Sequence, residues 1–138
     1  MAIPIRTEPL TEAGFRPFGE ILDLPLFRPS ETAFVETYAV GRFPFHLTKL
    51  FQRTETCEIT PLTSTSYVVI CAMDFGNAPG AISAFLATTY HSLRIKSGIW
   101  HHPPIPLYAA AEFSHTAHAA LSKGSKHIDD TYILLDID

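Results

Sequence analysis

The chain is short of charge. Only 17% of its 138 residues are Asp, Glu, Lys or Arg, against about a quarter in an average soluble domain. So few ions cannot coat the whole surface, and leftover apolar surface is most simply covered by a second copy, so a homodimer is expected. Basic clusters are missing as well. Ten Lys and Arg against fourteen Asp and Glu leave a formal charge of −4, and no segment is dense enough in Lys and Arg to follow a phosphate backbone. That argues against nucleic acid as a partner. Cysteine is scarce: Cys57 and Cys71 lack metal-type spacing, and two thiols make no disulfide framework. No run approaches the roughly eighteen apolar residues of a membrane span, so no membrane association is expected. Met1-Ala2-Ile3-Pro4-Ile5-Arg6 has neither the basic nor the apolar region of a secretory signal. The expectation is a soluble cytoplasmic protein.

Proline, by contrast, is plentiful. Eleven prolines spread along the chain oppose long helices, because each removes a backbone donor and clashes with the preceding turn. Thr11 to Phe15 is the best short helix, with Thr11 as its cap and Pro17 just beyond its end, placed to plug one end of a barrel. The rest reads as short strands: Ala33 to Val40, Phe45 to Phe51, Tyr67 to Met73, Ile82 to Leu86, Ser92 to Lys96, Ile99 to His102, Tyr108 to Ala117 and Tyr132 to Ile137. Tyr67 to Met73 is continuously apolar and β-branched, as a strand covered on both faces should be. His115 to Lys123 also reads as a helix, with Gly124 as its stop. Short strands between Pro and Gly turns predict an all-β, mainly antiparallel barrel or sandwich, a single domain over residues 1–138.

Four phrases resemble a known family. They are Pro9-Leu10-Thr11 with Phe15-Arg16-Pro17-Phe18-Gly19; Thr60-Pro61-Leu62 with Tyr67 to Ala72; Ser83-Ala84-Phe85-Leu86-Ala87; and Ile95-Lys96-Ser97-Gly98-Ile99-Trp100-His101-His102-Pro103. In this order, across nearly the whole chain, they resemble the ureidoglycolate lyase family, and the Gly-x-Trp-His-His-Pro phrase carries most of the specificity. The resemblance implies a cupin-like β-barrel, commonly dimeric, and a lyase that splits ureidoglycolate into glyoxylate and urea.

Gly98 permits a tight bend, and the strand leaving it alternates faces, so Ile99 and His101 share one side while Trp100 and His102 share the other. His101 is taken to face the cavity as acid–base group; the converse, with Trp100 and His102 inward, stays open. Against the family's upstream motif, Gln52 stands at the His position and Cys57 at the Gln position, with Glu58 beside it. No His-x-His remains, so neither a metal nor another cofactor is expected. Lys96 stands at a family Arg or His position, as a candidate carboxylate anchor, and Ser97 at an Arg position. Ala117 and His118 fall where the family carries Asp and Arg, and Asp129-Asp130 reads as a surface turn. The candidate site is then His101 and Lys96, with Gln52, Glu58, Trp100, His102 and His118 binding a small polar acid. Loss of family arginines keeps open an isomerase, cyclase or decarboxylase acting on a larger, less anionic metabolite, and a His101 paired off in the core would favour a non-catalytic binding protein.

Overall fold

The computed structural model describes residues 3–23, 33–88, 91–116 and 122–136. Their prolines and turns divide the chain into short extended pieces. In chain order these are β1 (Ile3–Pro9), helix α1 (Glu12–Phe15), β2 (Gly19–Asp23), β3 (Ala33–Tyr38), β4 (Phe45–Arg53), β5 (Cys57–Pro61) and β6 (Tyr67–Asp74). Then follow β7 (Pro79–Ala87), β8 (His91–Ile95), β9 (Trp100–His101), β10 (Ile105–Pro106), β11 (Ala111–Thr116) and β12 (Ser122–Leu134).

These strands form two sheets. The first runs β10-β6-β7-β1-β12-β4-β9, and β9 bonds to β6 as well, so the path from β6 through β7, β1, β12, β4 and β9 returns to its start. The second runs β2-β8-β5-β11-β3. Pairing is antiparallel except for β1, which lies parallel to β12 through its first half and to β7 through its second. This is the mainly antiparallel β-barrel expected from the sequence.

β6 explains how two cores coexist. Its first six residues are all buried. Tyr67, Val69 and Cys71 enter a cluster between the two sheets, with Ile59, Phe85, Leu93, Ile95 and Phe113. Val68, Ile70 and Ala72 enter a second cluster fed by every strand of the closed sheet, with Leu47, Ala84, Trp100, Ile105 and Ile133 among its members. A strand buried on both faces has no polar side to show, which is why it reads as an unbroken apolar run. The expected burial stops one residue early, because Met73 is 48% exposed.

The helix forms as the sequence suggests. Thr11 is its cap, with Oγ1 accepting the Gly14 N–H at 3.0 Å, and Phe15 is fully buried, edge-on to Phe85 at 5.4 Å. Its Phe15 packs into the inter-sheet core. β1 and β2 were not legible as strands, since proline and glycine punctuate them. The helical alternative for 115–123 is replaced by strand at His115–Thr116 and again from Ser122; 117–121 lie outside the described residues.

Gly19 marks the tightest approach between strands. A Cβ at this position would overlap the carbonyl oxygen of Arg94 on β8, a backbone atom that cannot swing aside. Gly19→Ala is therefore expected to lower stability in urea unfolding by more than about 2 kcal/mol. Gly124→Ala, where a Cβ meets nothing within 4 Å, should change it by less than about 1 kcal/mol.

Candidate functional site

The site is built around the turn before β9. Gly98 adopts φ +82°, a left-handed conformation that a side chain would strain. Two bonds hold the turn against the end of β4: Gln52 Nε2 donates to the Gly98 carbonyl at 2.9 Å, and the Gly98 N–H donates to the Arg53 carbonyl at 3.0 Å. From there the chain alternates as expected. Ile99 joins the inter-sheet cluster and Trp100 the cluster of the closed sheet, where its indole N–H donates to Asp74 Oδ1 at 2.9 Å. His101 sits directly opposite Cys71 on one side and Phe51 on the other. Paired residues share a face, and Cys71 belongs to the inter-sheet cluster, so His101 faces the space between the sheets, 5% exposed.

Other elements aim polar groups at the same space. Arg53, two residues beyond Phe51 on β4, comes close enough to act electrostatically on His101, His115, Tyr38 and Cys57. His115 lies on β11 opposite inward-facing Ile59 of β5 and is 4% exposed. Its Nε2 contacts the Tyr38 hydroxyl at 2.9 Å, and that hydroxyl donates to Glu36 Oε2 at 2.7 Å. Tyr38 and Glu36 stand opposite Ala111 and Phe113 on the edge strand β3, so they share the inward face, with Glu36 reaching solvent.

Burial sets the electrostatics. It is the main cause pulling His101 down to about 4, helped by the charges of Arg53, His115 and His102 and opposed by the bond to the Ile99 carbonyl. At neutral pH His101 is therefore uncharged. A carbonyl only accepts, so Nδ1, 3.3 Å from the Ile99 oxygen, carries the proton and Nε2 keeps its lone pair. His115 is also lowered by burial, with Glu36 raising and Arg53 lowering it. A permanent guanidinium facing two neutral imidazoles suits an anion and opposes a second cation. Among the described residues, no three His, Cys, Asp or Glu side chains converge as metal ligands.

The structure separates several residues that the sequence had grouped. Lys96 is exposed, and its Nζ donates to the Arg16 carbonyl at 3.0 Å; the cation beside His101 is Arg53 instead. Glu58 alternates out of the core between Cys57 and Ile59 and joins an outer-face network with Arg94, 3.2 Å away, which also reaches Glu20 at 3.3 Å. Gln52 is buried but braces the Gly98 turn. Trp100 and His102 point to the opposite side from His101; His102 packs edge-on to Phe45 at 5.3 Å and donates Nδ1–H to the Pro103 carbonyl at 2.8 Å. His118 lies outside the described residues. Arg53, His115, Tyr38 and Glu36 were missed, although Glu36-x-Tyr38 and Phe113-x-His115 carry the period-two signal of side chains sharing a face.

Fold and site together define a β-barrel protein with a buried imidazole–guanidinium centre suited to a small anion. The ureidoglycolate lyase family model matches residues 42–132, and the chain belongs to that family. It is 29% identical over 133 residues to the ureidoglycolate lyase of Burkholderia mallei (strain NCTC 10229), covering 77% of each chain. It is 23% identical over 141 residues to ureidoglycolate lyase 1 of Rhizobium meliloti, covering 82% of this chain and 81% of that one. Among solved structures it is similar to RmlC from Streptococcus suis in complex with dTDP-D-xylose, with a TM-score of 0.44 and 9% identity over 77% of this chain. It spans 52% of the RmlC chain.

A buried neutral histidine ties stability to pH. Unfolded, His101 takes up a proton near pH 6.5; folded, it does so only near 4. Between these values the unfolded chain binds more protons, so stability falls as pH drops from about 6.5 toward 4, by an amount on the order of 3 kcal/mol from this group. His115 and His102, both lowered, act in the same direction. Urea midpoints measured from pH 7 to 4.5 should fall, and His101→Gln should make the fall shallower. An unchanged slope in that variant would show that His101 is not buried neutral.

Proposed function

We propose that the chain is a metal-independent lyase that converts ureidoglycolate to glyoxylate and urea, with His101 as acid–base group and Arg53 as carboxylate anchor. Family membership supports the reaction class. The observation that carries the residue assignment is the neutral, buried imidazole of His101 within electrostatic reach of the Arg53 guanidinium. A guanidinium offers a carboxylate two parallel bonds, which fixes the orientation of a small acid.

The chemistry is collapse of a carbinolamide. His101 Nε2 takes the proton of the substrate hydroxyl, and the freed electron pair forms the aldehyde carbonyl as the C–N bond breaks. The nitrogen pair then receives the proton from the imidazolium, releasing urea and regenerating neutral His101. The substrate carries the hydroxyl that drives expulsion, so the step balances without a further reactant. An imidazole held near 4 is a weak base, but a bound carboxylate brings a negative charge next to it. That charge offsets Arg53 and raises His101 toward the neutral range, where proton transfer is most effective.

The homodimer expected from the low charge has a physical candidate as well. Pro4, Pro44, Tyr132 and Leu134 line a shallow apolar groove, and neighbouring Ile3 is 56% exposed. Light scattering at tens of micromolar should give twice the chain mass; a monomer there would exclude this assembly.

The assignment is tested with ureidoglycolate as substrate. His101→Ala is expected to lower kcat by roughly 10²–10⁴. Arg53→Ala should raise KM as well as lower kcat, and Arg53→Lys should restore it only in part, since an ammonium cannot make the paired contact. Lys96→Ala and Glu58→Gln should remain within about twofold of the parent, and chelators should change nothing. A fully active His101→Ala protein, or activity restored by added divalent metal, defeats the assignment.

A further inference from the structure

The Glu36–Tyr38–His115 chain has no part in the reaction drawn above, yet its geometry is specific. A phenol has one proton, and Tyr38 donates its proton to Glu36 Oε2 at 2.7 Å. In its 2.9 Å contact with His115 Nε2, the Tyr38 oxygen must then accept, so the ring nitrogen carries the hydrogen. The chain thus fixes the tautomer of a buried imidazole, as a carboxylate does when it orients a catalytic histidine. It also runs from solvent to the interior: Glu36 is exposed, Tyr38 half-buried and His115 4% exposed. Strand register explains the alignment, since Glu36 and Tyr38 are two residues apart on the inward face of an edge strand that pairs with β11, the strand of His115.

We propose that Glu36, Tyr38 and His115 form a proton relay between solvent and the interior, and that His115 is a second acid–base group of the site. This rests on the reading of the inter-sheet space as the reaction centre. When the His115 imidazole gains a proton from the reacting molecule, its Nε2–H passes to the Tyr38 oxygen while the Tyr38 hydroxyl proton passes to the Glu36 carboxylate. The phenol stays neutral throughout, and Glu36 releases the proton to water; the reverse sequence recharges His115. Burial and the Glu36 charge hold Tyr38 above its ordinary range, so phenolate does not accumulate. Among the described residues, the titratable and charged groups near His115 include Tyr38 and Glu36 from β3, Arg53 from β4 and His101 from β9. Glu36 favours the charged imidazole, while Arg53 and His101 oppose it. A carboxylate bound at Arg53 would shift that balance toward protonation, tying the relay to substrate binding.

The decisive variant is Tyr38→Phe, which keeps the ring that packs on Phe113 and His115 at 5.9 and 5.6 Å and removes only the hydroxyl. Nitrogen-15 NMR of the histidine rings in the full chain, without substrate, reads the relay directly. The parent should show His115 protonated at Nε2. Tyr38→Phe should redistribute its tautomers, and Glu36→Gln should lower its titration midpoint. In turnover of ureidoglycolate, Tyr38→Phe should lower kcat by roughly tenfold and displace its pH profile with little change in KM. His115→Ala should lose roughly 10²–10⁴ in kcat and regain part of it with added imidazole. An unchanged His115 tautomer and titration in Tyr38→Phe overturns the relay, as does a parent-like pH profile in an active Tyr38→Phe enzyme. If the parent does not turn over ureidoglycolate, the substrate reading fails while the NMR comparison still decides the relay.

Discussion

Two residues of strand, Trp100 and His101, bond to β4 on one side and β6 on the other, and much of the rest depends on that double pairing. It closes the first sheet on itself, which encloses one core. It also fixes register, because a one-residue slip would exchange the faces of Ile99, Trp100, His101 and His102. Trp100 would then be driven into the space between the sheets and His101 into the core of the closed sheet. Gln52 works against such a slip from β4. Its amide holds the Gly98 carbonyl while the neighbouring Arg53 carbonyl accepts the Gly98 N–H. A buried polar side chain is costly unless bonded, and this one locates the turn that leads into β9.

The same economy appears on the second sheet. Its inner face supplies Ile59, Leu93, Ile95 and Phe113 to the core, while its outer face carries Glu20, Glu58 and Arg94 in one ionic network. Few charges are available to the chain, and these three are used to keep an outer face wet. Inside, His101, His115 and Tyr38 lie within electrostatic reach of Arg53. In a chain this poor in ions, a guanidinium turned inward is a placement that packing alone does not favour.

The fold was largely legible from the sequence. The unbroken apolar run of β6 reports burial on two faces, the Thr11 cap announces the helix, and Gly98 followed by Trp100 and His101 announces a turn and an alternating strand. What escaped were elements whose pairing is decided by distant partners. β1 has proline at both Pro4 and Pro9 and gains its strand character from parallel neighbours more than seventy residues away. The site was legible only where a local phrase carried it. Lys96 and Glu58 were grouped with His101 because the family resemblance put them at or beside its motif positions, but period-two alternation turns Glu58 outward, and Lys96 bonds at the end of the helix. Arg53, Tyr38 and His115 come from three different strands, and nothing local in the chain records their convergence.

That convergence bears on how the chain relates to its family. Gln52 and Cys57 stand where the resemblance placed a His and a Gln, and neither offers the pocket what those would: Gln52 is committed to a backbone carbonyl, and the Cys57 thiol is pushed up by burial and stays protonated. The polar groups that reach the inter-sheet space here are instead Arg53, one residue beyond Gln52, and His115 across the sheet. Moving a group by one residue along a strand changes its face, so Arg53 reaches the inter-sheet space that Gln52, paired with Trp100, cannot. With guanidinium and imidazoles already facing each other, the anionic substrate of the proposed function would do more than fill the space. Its charge would shield His101 and His115 from Arg53 and make both more basic, so the proposed proton chemistry would be strongest with the carboxylate in place.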